Sequence, residues 1–136
     1  MTDEEEDAWI AERREQVIAY LDGQGLEQGP VGQWPAIYLP PYVSLWSIES
    51  LKSPGAVGWW AICGDCPTDY CSSSPDPHPR AAVREFARSW RAAAADVRPD
   101  GTLGETGLPT MLAQMLLDRA ASLEMMADDD EVWAGI

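Results

Sequence analysis

Asp65, Thr68, Asp69 and Tyr70 are the residues whose types and spacing invite chemistry, crowded behind the apolar run Val57-Gly58-Trp59-Trp60-Ala61-Ile62. Two carboxylates this close in a loop can hold a cation, exchange a proton as acid and base, or accept hydrogen bonds from a partner's arginine. A structural reading competes with all three. Asp65 after Gly64 is turn chemistry, and Asp69 can cap backbone donors or pair with Arg80 or Arg84.

Cys63, Cys66, Cys71 and His78 follow the pattern C-x2-C-x4-C-x6-H, whose thiolates and imidazole are the ligands zinc prefers. The later spacings match no zinc ribbon or knuckle, and Cys63 closes an apolar strand where a thiol serves as a small hydrophobe. Ordinary free cysteines are the favoured reading, and no cofactor is called for. His78 is the one histidine, so a cysteine nucleophile would need it as its base. The chain has no glycine-rich phosphate loop, nucleophile elbow or HExxH motif. Arg80, Arg84, Arg88 and Arg91 recur at helical spacing and form a basic edge fit for an anionic ligand. Pairing with the chain's own acids is the competing use.

Positioning these side chains falls to a mixed set of elements. Trp9, Ile10, Arg13, Arg14, Val17, Ile18 and Leu21 recur every three or four residues and predict a helix over 4–22, capped by Thr2 or Asp3 and stopped by Gly23 and Gly25. Residues 23–35 read as a Gly- and Pro-rich loop. Three strands are expected over 36–39, 42–50 and 56–62, the last two as a hairpin. Neither face of these strands is cleanly polar, so both are expected to be covered, with Trp59 and Trp60 on opposite sides. After the proline-rich connector 72–79, Val83, Phe86, Ala87, Trp90, Ala94 and Val97 predict a second helix ending at Pro99-Asp100-Gly101. A loop over 99–107 then leads to a third helix marked by Leu108, Met111, Leu112, Met115, Leu116, Leu123 and Met126.

The class that follows is α+β, a small antiparallel sheet of about three strands with three helices packed against it. At 136 residues the chain is expected to form a single domain, with acidic ends over 1–7 and 127–136. Its hydrophobic fraction of 46% and seven Trp argue against disorder. The formal charge of −14 is concentrated: residues 3–7 and 128–131 hold nine of the 23 acids. The body is therefore only mildly acidic, and direct nucleic-acid binding is disfavoured for want of a basic surface. No apolar run reaches spanning length and the start has no leader pattern, so no membrane partner and a cytoplasmic location are expected.

Val57-Gly58-Trp59-Trp60-Ala61-Ile62, Gly64-Asp65, Pro67-Thr68-Asp69-Tyr70 and the segment from Arg80 to Trp90 resemble an uncharacterised bacterial family of short acidic proteins with a GWW-x-I-x-GD-x-PTDY signature. The resemblance covers about residues 5 to 95 and implies no activity. In the family pattern the positions of Cys66 and Cys71 are apolar, which weakens the zinc reading further.

The functional expectation is a non-enzymatic cytoplasmic binding protein, in its specific form an immunity or inhibitor protein for a basic protein partner. Asp65, Thr68, Asp69 and Tyr70 would meet the partner, with Trp59 or Trp60 as apolar anchor. The alternative is a small enzyme or ligand-binding domain combining the Asp65/Asp69 loop with Arg80 and Arg84.

Overall fold

Thr2 opens the first helix by accepting the Glu5 amide on its hydroxyl at 3.1 Å, and four acids in the first turn oppose the helix dipole. This helix, α1 (Asp3–Gly23), buries Ile10, Val17 and Leu21 at intervals that keep one face inward. The structure, a computed structural model, describes residues 1–27, 29–95, 102–103 and 108–136. It divides into two compact units, Met1–Pro79 and Arg80–Ile136.

In the first unit a four-stranded antiparallel meander follows α1: β1 (Ile37–Leu39), β2 (Val43–Glu49), β3 (Val57–Gly64) and β4 (Cys66–Ser72), in that spatial order. The predicted hairpin is present, with Trp46 opposite Ala61 and Ser47 opposite Trp60. Alternation sends Ser44, Trp46 and Ile48 toward α1 together with Ala61 and Cys63, and they form one buried cluster with the helix. Leu45, Trp60 and Ile62 on the opposite face are buried too. Both faces are therefore apolar, as the missing polar alternation implied.

The segment before β1 extends the sheet edge. Gly29 and Gly32 donate to the carbonyls of Glu49 and Ser47 at 3.1 and 2.9 Å, and Val31 bridges to Ile48. Arg14 fixes this segment to α1 through the Val31 and Gly32 carbonyls at 3.0 and 2.9 Å.

Cys66–Ser72 is a strand, β4, where turn chemistry and the carboxylates predict a loop. Pro67 and Asp69 are poor strand residues, but β4 lies at the sheet edge, where a missing amide hydrogen is tolerated. The meander accordingly has four strands where about three were expected.

The second unit holds most of α2 (Pro79–Ala95), a short ladder of β5 (Thr102–Leu103) with β6 (Leu108–Pro109), α3 (Thr110–Asp128) and the one-turn α4 (Asp130–Trp133). The stripe predicted on α2 is buried at Val83, Phe86, Ala87, Trp90 and Ala94. Val97 and the stop at Pro99-Asp100-Gly101 lie outside the described residues. So does the rest of the expected 99–107 loop apart from Thr102 and Leu103, which pair as strand. Leu108 also belongs to a strand, not to the third helix. The tail folds back: Trp133 is buried and its indole Nε1 donates to the Met126 carbonyl at 2.9 Å.

Candidate functional site

The reversal between β3 and β4 leaves only Asp65 between the strands, with Gly64 paired to both Val43 and Cys66. The Asp65 amide donates to the carbonyls of Tyr42 at 2.9 Å and Pro41 at 3.2 Å, binding this turn to the β1–β2 turn. Asp65 is exposed at that junction. Beside it stand Tyr42 and Leu39, 65% and 43% exposed.

The rest of the expected contact set is dispersed by strand alternation. Thr68 and Tyr70 point toward α1, whereas Asp69 points to the other face. The Thr68 hydroxyl accepts from Gln16 Nε2 at 2.8 Å. Tyr70 packs its ring 6.1 Å from Tyr20 and 5.8 Å from Trp59. Together these contacts brace β4 to the helix. Asp69 is half-buried, with Oδ1 accepting the Tyr70 amide at 2.8 Å. Trp60 is only 4% exposed, and its Nε1 has no hydrogen-bond partner. Only Asp65 of that set faces fully outward, because the segment is a strand and not an extended loop.

Burial, then Asp69 and Tyr70, push the Tyr20 hydroxyl above its usual value of 10.0. A raised value means that the fold favours the protonated phenol, so this contribution is intact below pH 10.0 and is lost as pH rises through the folded value. Phenolate absorbance should therefore show Tyr20 ionising later than a free tyrosine, with stability falling in the same alkaline window. Tyr20→Phe should remove that late component; an unchanged titration curve would refute the assignment.

Cys63, Cys66, Cys71 and His78 do not gather as one ligand set among the described residues. Cys63 faces α1, with its sulfur 3.4 Å from the Ser44 hydroxyl and 3.5 Å from the Arg13 carbonyl, and burial pushes its thiol up. Cys71, opposite Trp60, lies on the other face. The His78 amide donates to Asp76 Oδ1 at 3.0 Å. No group of three potential ligands able to hold a metal occurs among the described residues.

In the second unit the arginine edge meets carboxylates and a helix end. Arg80 donates to the Ala127 carbonyl at 2.6 Å and to Asp130 at 2.7 Å. Arg84 lies 3.5 Å from Asp128, and Arg91 forms a fork with Glu124 at 2.6 Å in both arms. The groove of about 470 Å³ that Arg84, Arg88 and Arg91 line is thus also lined by Glu124 and Asp128, which offset its positive charge.

Two features have no signature in the local sequence periodicity. The first is charge sorting on α1. Arg14 is turned onto backbone carbonyls, and Arg13 lies over the Trp9 ring at 5.8 Å and 3.5 Å from Glu12. Glu4, Glu5, Asp7, Glu12, Glu15 and Asp22 remain exposed. The second is an aromatic corner: Trp34, 52% exposed, meets Tyr38 edge-on at 5.7 Å and 90°, and the nearby Glu6 carboxylate pushes the Tyr38 hydroxyl above its usual value. A Trp inside a Gly- and Pro-rich stretch was the available signal, but periodicity says nothing about an irregular segment. Carboxylates and open aromatic faces suit this surface to binding a cation.

A family model described as a domain of unknown function (DUF4826) matches residues 3–133. No curated protein and no solved structure matches the chain.

Proposed function

We propose, for a chain that belongs to the family described as a domain of unknown function (DUF4826), a non-enzymatic function: recognition of a basic protein partner by the acidic surface of the first unit. Charge sorting on α1 carries this reading. Both arginines of the helix have partners within the unit, while its carboxylates line the exposed side. A helix with one sign of charge outward steers an oppositely charged partner and raises its association rate. Asp65 extends the acceptor surface at the sheet end. Trp34, Leu39 and Tyr42 are the apolar anchors in place of Trp59 or Trp60, because they are exposed, whereas Trp60 is buried and Trp59 packs on Tyr70.

In its specific form the protein is an immunity or inhibitor protein that covers the basic surface of an enzyme in the cytoplasm. The enzyme or ligand-binding alternative has weaker support: Asp69 sits in a strand with an oxygen on the Tyr70 amide, and Arg80 is fastened to Ala127 and Asp130.

Affinity capture at low salt with the full chain, followed by kinetics on the captured partner, tests the proposal. Association is expected to slow on the order of tenfold when Glu12, Glu15 and Asp22 are changed to their amides, and to slow comparably at high salt. Rates indifferent to both changes would overturn it.

A further inference from the structure

Resting on that reading, we infer that Trp34, Tyr38 and Glu6 form the seat for one lysine or arginine side chain of the basic partner. A large exposed ring on a soluble surface usually either swings freely or is held for contact, and here it is held. Upstream, Gly32 donates to the Ser47 carbonyl at 2.9 Å; downstream, Ala36 donates to the Leu45 carbonyl at 2.8 Å, with Pro35 buried between Trp34 and Ala36. The backbone carrying Trp34 is therefore pinned to β2 on both sides, and little backbone entropy remains to be lost when the ring is covered.

Tyr38 supplies the second wall. Its ring stands perpendicular to that of Trp34, and Glu6 lies near enough to its hydroxyl to push that group above its usual value. Asp3 and Asp7 act on the same hydroxyl electrostatically and so add to the negative field. Arg14 is the opposing charge, on the carbonyls of Val31 and Gly32. Its guanidinium is therefore held against the segment that carries Trp34, where the three carboxylates outnumber it.

Aromatic faces attract a cation through their quadrupole, and a carboxylate within reach adds a charge-assisted hydrogen bond. Among the described residues, Arg14 is turned onto the Val31 and Gly32 carbonyls and not into the solvent to receive an anion. An anionic or purely apolar ligand would find a weaker match there.

Titrating the full chain with tetra-arginine at low salt, followed by the Trp34 indole signal in NMR, tests the assignment. The signal, identified by its disappearance in Trp34→Phe, is expected to shift with tetra-arginine, to return on adding salt, and to stay unmoved by tetra-glutamate. Trp34→Ala should weaken binding about tenfold and Glu6→Gln about threefold, effects of the size expected for one cation–π contact and one exposed ion pair. Neither Trp34 nor Glu6 belongs to the buried cluster, so both variants are expected to fold, which unchanged far-ultraviolet dichroism would verify. A Trp34 signal that ignores tetra-arginine, or that responds equally to tetra-glutamate, overturns the inference. Shifts confined to the Glu12–Asp22 side of α1 would also overturn it, while leaving the proposed function in place. Loss of partner capture together with persistence of the Trp34 shift would do the reverse.

Discussion

Replacing Trp46 by alanine is expected to lower the unfolding free energy by about 3–5 kcal/mol, the range for deleting a large buried aromatic. Trp46 is 0% exposed and is among the largest side chains at the centre of the α1–sheet cluster. Its polar atom is satisfied inside the core. Nε1 donates to Ser44 Oγ at 2.9 Å, and Ser44 in turn donates to the Cys63 carbonyl at 3.1 Å on the neighbouring strand. Ser44 is thus more than a tolerated hydroxyl in an apolar layer. Ser44→Ala would leave the Trp46 indole hydrogen buried without an acceptor, at a cost of about 1–3 kcal/mol despite the loss of only one atom. Trp46→Phe should fall between wild type and Trp46→Ala, since it keeps most of the volume and drops the donor. Urea unfolding of the four proteins, followed by dichroism, measures the series. A Trp46→Ala cost below about 1 kcal/mol would show that this cluster is not what holds α1 to the sheet.

How much of this could be read in advance depended on whether a signal was local. The first helix was expected over 4–22 and runs Asp3–Gly23, because apolar spacing, an N-cap and glycine stops all lie in the segment itself. The hairpin of β2 and β3 was legible for the same reason. β4 was not: Pro67, Asp69 and the turn at Gly64-Asp65 all say loop, and only pairing with β3 makes the segment a strand. That one omission dispersed the candidate site. A loop can present Asp65, Thr68, Asp69 and Tyr70 together, whereas a strand turns Asp69 away from Thr68 and Tyr70 and gives the latter two to α1. Alternation correctly separated Trp59 from Trp60, but only the tertiary fold makes Trp60 the buried one. The arginine edge followed the bland expectation, with Arg80 and Arg84 reaching Asp130 and Asp128 near the acidic end of the chain.

Alanine at Gly64 is expected to cost about 3 kcal/mol or more, combining backbone strain with overpacking. Gly64 has φ +142°, a conformation that side chains rarely adopt, and an added Cβ would stand 2.6 Å from the Tyr42 carbonyl oxygen and 2.9 Å from its carbon. These are backbone atoms of the adjacent turn, so no side-chain rotation relieves the clash. Gly55 separates the two contributions. It also has positive φ, +90°, but nothing lies within 4 Å of its Cβ position, so Gly55→Ala should cost only the strain, about 1–2 kcal/mol. Comparable losses at the two sites in parallel urea titrations would mean that the close approach of the two turns does not limit stability. The difference also bears on the binding surface. The amide of Asp65 reaches the Pro41 and Tyr42 carbonyls only because Gly64 lets the strands come this close. A methyl group there should force the turns apart and displace Asp65 from Tyr42. Amide chemical shifts in Gly64→Ala should accordingly change at 41–43 and 64–66 and little at α1, because the missing Cβ, and not the aspartate itself, sets where that carboxylate is presented.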